Sequence, residues 1–504
     1  MASSQRPSPP RANPRAILRA EVMAMSEAGD IAGIARRLAD IPPADQLPGL
    51  VPLHVAAAIE LRDADAIAAS VAAAIAAPLA PRMRALMAWR LAVAGHAAEA
   101  WAVLHSDPAI LPAEDARGAV LQLLGRIGNE ASARPDLRLA ARTLAARLAS
   151  TPAEVQTHPA PFAYVAGDAQ PRPGGAPPEI VAAPGLRPHV LAAFAKQAET
   201  FEGMIAARRR PLEVRAHHDV FINRFGQVWR SEGGLLGHLL RGVEQPLPAA
   251  SLDAMSTAPA VEEAVFAVEQ FNNMFHWVAD ALPSIAWRFA PGVPPVPLAM
   301  QPDAAPYKAE ALAVLAGGEP PPILPAGDAL FVRRLYFGPF GAHTIAPLGA
   351  HRDLIGSIAD AADASPAPAD GLPPLLYISR RDAAKRALGN EAALEEALAA
   401  RGFGVRLFSG RGFLEQVRLI RGARVIVAPH GAALGLLLFA HAGTAVFEVM
   451  PGMAQAAGLR FCMARLSRLL ALRHRIWLEP INALTGAWAA SLDPLLADLD
   501  AWLR

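Results

Sequence analysis

One cysteine, Cys462, in 504 residues leaves no partner for an internal disulfide and no thiolate set for a zinc site. Lysine is almost missing as well. Lys196, Lys308 and Lys385 are all there is, so the basic charge is carried by arginine. The net charge is only +1, too small a field for a general nucleic-acid binder. No long apolar run is uninterrupted. The longest nearly uncharged stretch, Val425 to Met450, is broken by Pro429, His430, Gly431, His441, Gly443 and Glu448. It reads as strand, turn, helix, turn and strand in a soluble core rather than a membrane span. The opening MASSQRPSPPRANPRAIL lacks the apolar core of a secretory signal. The expected location is the cytoplasm, with peripheral attachment to a membrane surface left open. No G-x-G-x-x-G follows a strand and no G-x-x-x-x-G-K-[ST] occurs, which counts against dinucleotide and P-loop enzymes. The D-x-D triplets at Asp63/Asp65 and Asp498/Asp500 lie in helical flanks, and His217-His218 lacks a spaced carboxylate partner. No metal site and no cofactor is expected.

Apolar content is 53%, enough for sizeable cores in several domains. Heavy use of Ala, Arg and Pro is of the kind associated with high-GC bacterial genomes. Residues 1–14 are polar and Pro-rich, an expected disordered tail. Residues 15–150 carry Ala, Leu and Arg at helical spacing. The stretch from Arg84 to His96, followed by Ala97-Ala-Glu-Ala-Trp-Ala-Val-Leu, predicts two short helices joined at a Gly-His turn. Such hairpins are tetratricopeptide-like. A partner-binding surface and a helical add-on to the main body are both open for this region. Residues 151–180 are a Pro/Gly-rich linker.

Beyond it the pattern turns to α/β. Asp219-Val-Phe-Ile-Asn and Gln227-Val-Trp-Arg predict a hairpin turning near Phe225-Gly226. A short buried strand at 264–268 precedes a helix from about Phe275 to Phe289. A helix near Lys308–Leu315 and a strand at 329–337 complete a first lobe, 181–370. The Pro-rich connector 361–374 marks the boundary to a second lobe, 371–504. There, strands Leu375–Ser379, Val405–Phe408, Val425–Ala428 and Ala445–Val449 alternate with helices Glu391–Ala400, Phe413–Arg421 and Ala432–Phe439. Strands and helices alternating over short links predict a parallel, doubly wound sheet. Two final helices are expected, at about 454–470 and 487–503.

Chemistry gathers at the junctions. Pro429-His430-Gly431-Ala432 lies between a buried strand and a helix, where a Gly and backbone N–H groups suit an anion. Ser379-Arg380-Arg381 ends the first strand of the same lobe, and an arginine fork can hold a diphosphate. Glu448, ending a strand, could accept from ribose hydroxyls or be a surface acid. Glu415 and Gln416 open a helix, as first-turn caps or as arms positioning a base or phosphate. Upstream, His276 and Asp280 are four apart and so share a helix face, a pairing that suits a general base. Asn272 and Asn273 at the helix entrance could cap it or hold a substrate hydroxyl. Trp277 could stack on a sugar or pack in a core.

In order, F-N-N-M-F-H-W-x-x-D-x-L-P, Y-I-S-R-R-D, F-x-E-Q-V-x-L-x-R-x-A-R-V-I-V-A-P-H-G-A-A-L and a closing F-E-V resemble glycosyltransferase family 61. This family includes bacterial capsular-polysaccharide enzymes, plant xylan arabinosyl- and xylosyltransferases and animal O-linked N-acetylglucosaminyltransferases. The resemblance spans about Val214 to Pro451. It implies two Rossmann-like domains, the B-type glycosyltransferase fold, here behind an all-α N-terminal region. It implies an inverting transfer without an essential metal. The nucleotide sugar would sit on the second lobe and a glycan or lipid-linked acceptor on the first, in capsular or other cell-surface polysaccharide synthesis. Carried over by residue, Arg380 and Arg381 would neutralise the leaving diphosphate. His430, Gly431 and Ala432 would cradle the donor, and Glu448 would hold the ribose. His276 and Asp280 would supply the base. Ser284 stands where many members have Arg, which puts one substrate contact in question. The competing readings are a non-catalytic scaffold that binds glycan or protein, and a nucleotide-dependent phosphotransferase.

Overall fold

The computed structural model describes residues 13–111, 113–130, 133–148, 158–160, 174–206, 213–231, 235–236, 247–268, 273–302, 304–338, 345–383, 387–482 and 485–504. The chain divides into two compact units. One holds the residues up to 149 with the short segment Asn482–Gly486, and the other is the α/β body. Most of the expected tail and linker lies outside the described residues.

The first unit is all-helical. Its helices are Pro14–Glu27, Ile31–Ala39, Val51–Leu61, Ala64–Ala76, Pro81–Val93, Ala97–His105, Glu114–Asn129 and Pro135–Leu148. Asn13, Asp30 and Asp63 start three of them by accepting from backbone N–H groups of the first turn. The predicted Gly-His turn is present, with Gly95 at φ +94° between Val93 and Ala97. Small residues let neighbouring helices approach: Ala57, Ala58, Ala73, Ala74, Ala85, Ala88 and Ala100 are buried. Arg84 ties one hairpin down by donating to Asp107 and to the Ala77 carbonyl, both at 2.6 Å.

In the α/β body the strands are β1 (His158–Pro159), β2 (Glu179–Ala182), β3 (Arg215–Ile222), β4 (Val228–Trp229), β5 (Ala260–Phe266), β6 (Leu298–Met300), β7 (Ile323–Pro325), β8 (Leu330–Phe337), β9 (Leu375–Ser379), β10 (Gly404–Leu407), β11 (Val425–Pro429), β12 (Ala445–Pro451) and β13 (Arg473–Glu479). The first sheet runs β1-β3-β8-β5-β6-β7 with β4 on β3. It is mixed rather than a purely parallel Rossmann sheet. The hairpin turning at Gly226, φ +75°, sets β4 antiparallel to β3, and β3 is antiparallel to β1 and β8. Only β8, β5, β6 and β7 are mutually parallel.

The second sheet is wholly parallel, in the order β10-β9-β11-β12-β13-β2. Its strands alternate side chains into two cores, so both faces are covered. Leu376, Ile378, Ile426 and Val446 face helix Phe413–Gly422 and the segments at 432–439 and 462–469. Tyr377, Val427, Phe447 and Trp477 face helices Glu391–Ala399 and Leu492–Leu503. β2, which straddles the expected boundary between linker and first lobe and is not among the expected strands, is an edge strand of this second sheet. From β9 onward the order is 2-1-3-4-5, which has a switch point between β9 and β11. In such sheets ligands bind beyond the strand carboxyl ends at that point.

Candidate active site

The helix expected from Phe275 to Phe289 is present but not uniform. Met274–His276 is α, Trp277–Ala281 a π turn, Leu282–Ile285 α and Ala286–Phe289 3₁₀. Pro283 accounts for the widening. It has no N–H to give and its ring crowds the turn before it. The π turn still holds His276 and Asp280 on one face, with His276 Nδ1 2.8 Å from Asp280 Oδ2. The carboxylate accepts, so Nδ1 carries the hydrogen and the lone pair of a neutral ring is on Nε2. Asn273 caps this helix by accepting from Phe275 N at 2.8 Å. Ser284 is buried and donates to the Asp280 carbonyl. Asn272 lies outside the described residues.

Across the switch point, β11 delivers His430 and Gly431 at its carboxyl end, and Arg380 follows β9. Arg380 Nη1 donates to the His430 carbonyl. The arginine side chain crosses over Gly431 so closely that a Cβ there would stand 2.6 Å from Arg380 Nε. Gly431 has an extended φ of −174°, so this close approach, rather than a left-handed turn, is why a glycine fits. The segment Ala432–Phe439 is 3₁₀ rather than α. A buried carboxylate, Glu391, fixes the strand end by accepting from Arg380 N at 2.6 Å and from the Tyr377 hydroxyl at 3.0 Å. Burial holds the Glu391 carboxyl above its usual range.

One cavity of about 190 Å³ joins these parts. Asn273, Phe275, His276 and Asp280 line it from the first lobe, and His430, Gly431, Ala432, Leu459, Cys462 and Met463 from the second. Gly435 lets the two sides meet. A Cβ on it would lie 2.8 Å from Phe275 Cα and 3.0 Å from Val278 Cγ2. The lobes also meet where Glu310 accepts from Phe413 N at 2.7 Å, so a protein carboxylate takes the N-terminus of helix Phe413–Gly422.

Several expected residues stand elsewhere. Glu448 does not face a ribose. It is fully buried, and its oxygens accept from His430 Nδ1 at 2.6 Å and His474 Nε2 at 3.1 Å. Burial pushes the Glu448 carboxyl up, but the two imidazole N–H groups outweigh it and hold the group below its usual range. Trp277 is not a sugar platform, because it is fully buried in the core beneath the helix, with Lys308 Nζ 5.4 Å from its ring centre. Arg381 is exposed and pairs with Glu395 at 3.1 Å. Glu415 pairs with Arg411, and Gln416 donates to the Arg411 carbonyl at 2.9 Å; neither lines the cavity. Ser379 is buried, and its hydroxyl accepts from Arg381 N at 3.3 Å.

Leu459, Cys462, Met463 and His474 escape sequence reasoning, because they come from segments with no motif of their own. Cys462 is a silent wall residue. Burial, helped by the charges of Glu448 and Asp280, pushes its thiol up to about 12, so it stays protonated. Among the described residues no cluster of three or more His, Cys, Asp or Glu side chains could hold a metal ion, and no helix is long and apolar enough to cross a membrane.

The helix-borne His–Asp pair lines the same cavity as His430 and Gly431 at the carboxyl end of a parallel strand, and Arg380, bonded to the His430 carbonyl, is not among the lining residues. Residues 274–447, about a third of the chain, match the family model described as Glycosyltransferase 61, and it is to this family of glycosyltransferases that the segment is similar. The matched segment contains His276, Asp280, Arg380 and His430, and it ends one residue before Glu448. A search of curated proteins found no match.

Proposed function

We propose that the protein transfers a sugar, with inversion, from a nucleotide-sugar donor to a hydroxyl of a glycan or lipid-linked acceptor in the synthesis of a cell-surface polysaccharide. The observation that carries this reading is the shared cavity, in which His276 and Asp280 face His430 and Gly431. In the proposed step His276 Nε2 takes the proton of the acceptor hydroxyl while Asp280 holds the imidazole through Nδ1. The acceptor oxygen bonds to the anomeric carbon as the bond to the diphosphate breaks. Arg380 and His430 meet the charge that develops on the leaving group, and Asn273 holds an acceptor hydroxyl. Arg381 is assigned to the outer rim. At about 190 Å³ the cavity is below the 300–1,000 Å³ that enclose a whole drug-sized ligand. It therefore suits the reacting sugar, with the nucleotide extending along the strand ends. The helical hairpins of residues 14–148 make a surface of the kind that tetratricopeptide arrays use for protein partners.

The test is a thermal-shift screen against UDP-, GDP-, CMP- and dTDP-sugars, followed by turnover with the stabilising donor. Donor-dependent stabilisation, release of the donor's nucleotide (UDP, GDP, dTDP or CMP) and a glycosylated product support the reading. Donor binding without turnover, unchanged in His276→Ala, points to a glycan-binding scaffold. A phosphorylated product points to phosphoryl transfer.

A further inference from the structure

His430 belongs to a buried chain of hydrogen bonds that continues well past the cavity. Glu448, 0% exposed, joins two imidazoles: Oε1 accepts from His430 Nδ1 at 2.6 Å and Oε2 from His474 Nε2 at 3.1 Å. His474 Nδ1 in turn lies 2.7 Å from Ser467 Oγ. Ser467 is 0% and His474 4% exposed. An ionised Glu448 only accepts, so both facing nitrogens carry hydrogen, and the Ser467 hydroxyl is placed to donate to Nδ1 of a neutral His474. His430 is left with Nε2 toward the cavity. The chain crosses three structural elements, β12, β13 and helix Cys462–Leu469.

We propose that His474 and Ser467 are positioning residues that set the proton affinity of His430 through Glu448. The proposal rests on the reading of His430 as a donor-side group. A neutral His430 presents a lone pair at Nε2 and repels a phosphate oxygen. A protonated one presents an N–H and a positive charge. Which form meets the ligand depends on how much negative charge Glu448 keeps available. The N–H of His474 spreads that charge and stabilises the state in which Glu448 is ionised and His430 neutral. Removing it destabilises that state, so the His430–Glu448 pair takes up its proton at higher pH. The other charged or titratable groups around His430 are Arg380, which donates to its carbonyl, His276 and Asp280 across the cavity, and Cys462 on the same wall. Arg465, one turn beyond Cys462, adds positive charge near that thiol. The substitutions below leave all of these in place.

The experiment follows the His430 imidazole by NMR in the full chain labelled at histidine Cε1, with His430→Gln identifying the signal. His474→Leu should raise the titration midpoint of the pair by about one pH unit. His474→Gln, whose amide can still donate to Glu448, should return it to within about 0.3 unit of wild type, and Ser467→Ala should shift it upward by about half a unit. Unchanged midpoints in folded His474→Leu and Ser467→Ala overturn the proposal. So does a His474→Gln shift as large as that of His474→Leu. If His474→Leu does not fold, Ser467→Ala decides by the same criterion. The titration needs no substrate. A protein with these shifts but no sugar transfer keeps the relay and loses the transferase reading, and active protein with unmoved midpoints does the reverse.

Discussion

Gly435→Ala should impair catalysis without touching a catalytic group. The added methyl carbon would stand 2.8 Å from Phe275 Cα, 3.0 Å from Val278 Cγ2 and 3.4 Å from Phe275 Cβ. Carbon atoms in contact prefer about 3.5–4.0 Å, so the helix start must retreat by about 1 Å. Val278 can turn its side chain away, but Phe275 meets the methyl with backbone, and His276 is the next residue. Overpacking of this kind costs about 1–3 kcal/mol, so the melting temperature should fall by a few degrees. Displacement of a reacting group by about 1 Å costs on the order of 100-fold in rate. The expected outcome is a kcat lower by about 10- to 100-fold, with donor KM within about threefold, because Arg380 and His430 are undisturbed. Steady-state kinetics with the stabilising donor, together with a melting curve, reads both. Wild-type kcat in a folded Gly435→Ala protein would refute the claim that this close approach sets the distance across the cavity.

Asp280→Asn should keep the fold and lower kcat by about 10- to 100-fold, less than the loss of the base itself, because it removes only the charged partner of His276; kinetics beside His276→Ala checks the order. Arg380→Ala should reduce kcat/KM for the donor by about 100-fold or more, whereas Arg381→Ala, exposed and paired only with Glu395, should stay within about threefold. Glu448 gives the protein an acid limit. Its folded pKa lies below the ordinary value of 4.5, so its contribution to stability is complete above that pH and is lost as the pH falls through the folded value. Melting temperatures measured from pH 7 down to 3 should decline below about 4.5. Glu448→Gln should melt lower at neutral pH, by about 1.5–3 kcal/mol in stability, with a flatter acid limb.

Much of the second lobe was legible because its strands are continuous apolar runs between turn residues. Leu375–Ser379 and Val425–Pro429 have no polar face to solvate and so must be buried on both sides. The hairpin at Gly226 was legible from its turn. β13 was not, because Arg473-His-Arg-Ile-Trp-Leu-Glu reads as a charged surface segment. Its polar residues are instead consumed by partners that the segment itself does not show: Arg475 by Asp498 and Glu179, His474 by Glu448, and Glu479 by Ser491, with a further bond from Trp477 of the same strand. The same blindness explains Glu448. At a strand end a carboxylate looks like a ligand for hydroxyls, and only the neighbouring strand shows which donors already hold it. Trp277 illustrates phase. His276 and Asp280 share one helix face, and the residue between them that sequence spacing offered as a sugar platform points into the core. The mixed first sheet was hidden because antiparallel pairing of β3 with β8 joins residues more than a hundred positions apart.

In the proposed reaction His276 takes the acceptor proton in a cavity whose other wall binds the donor. The most direct measurement compares wild type and His276→Ala with the donor that stabilises the protein, following nucleoside diphosphate release and donor affinity together. Release should be lower by about 100- to 10,000-fold in the variant, with donor Kd within about threefold of wild type. Equal release by both proteins, or loss of donor binding in step with release, would contradict that role of His276.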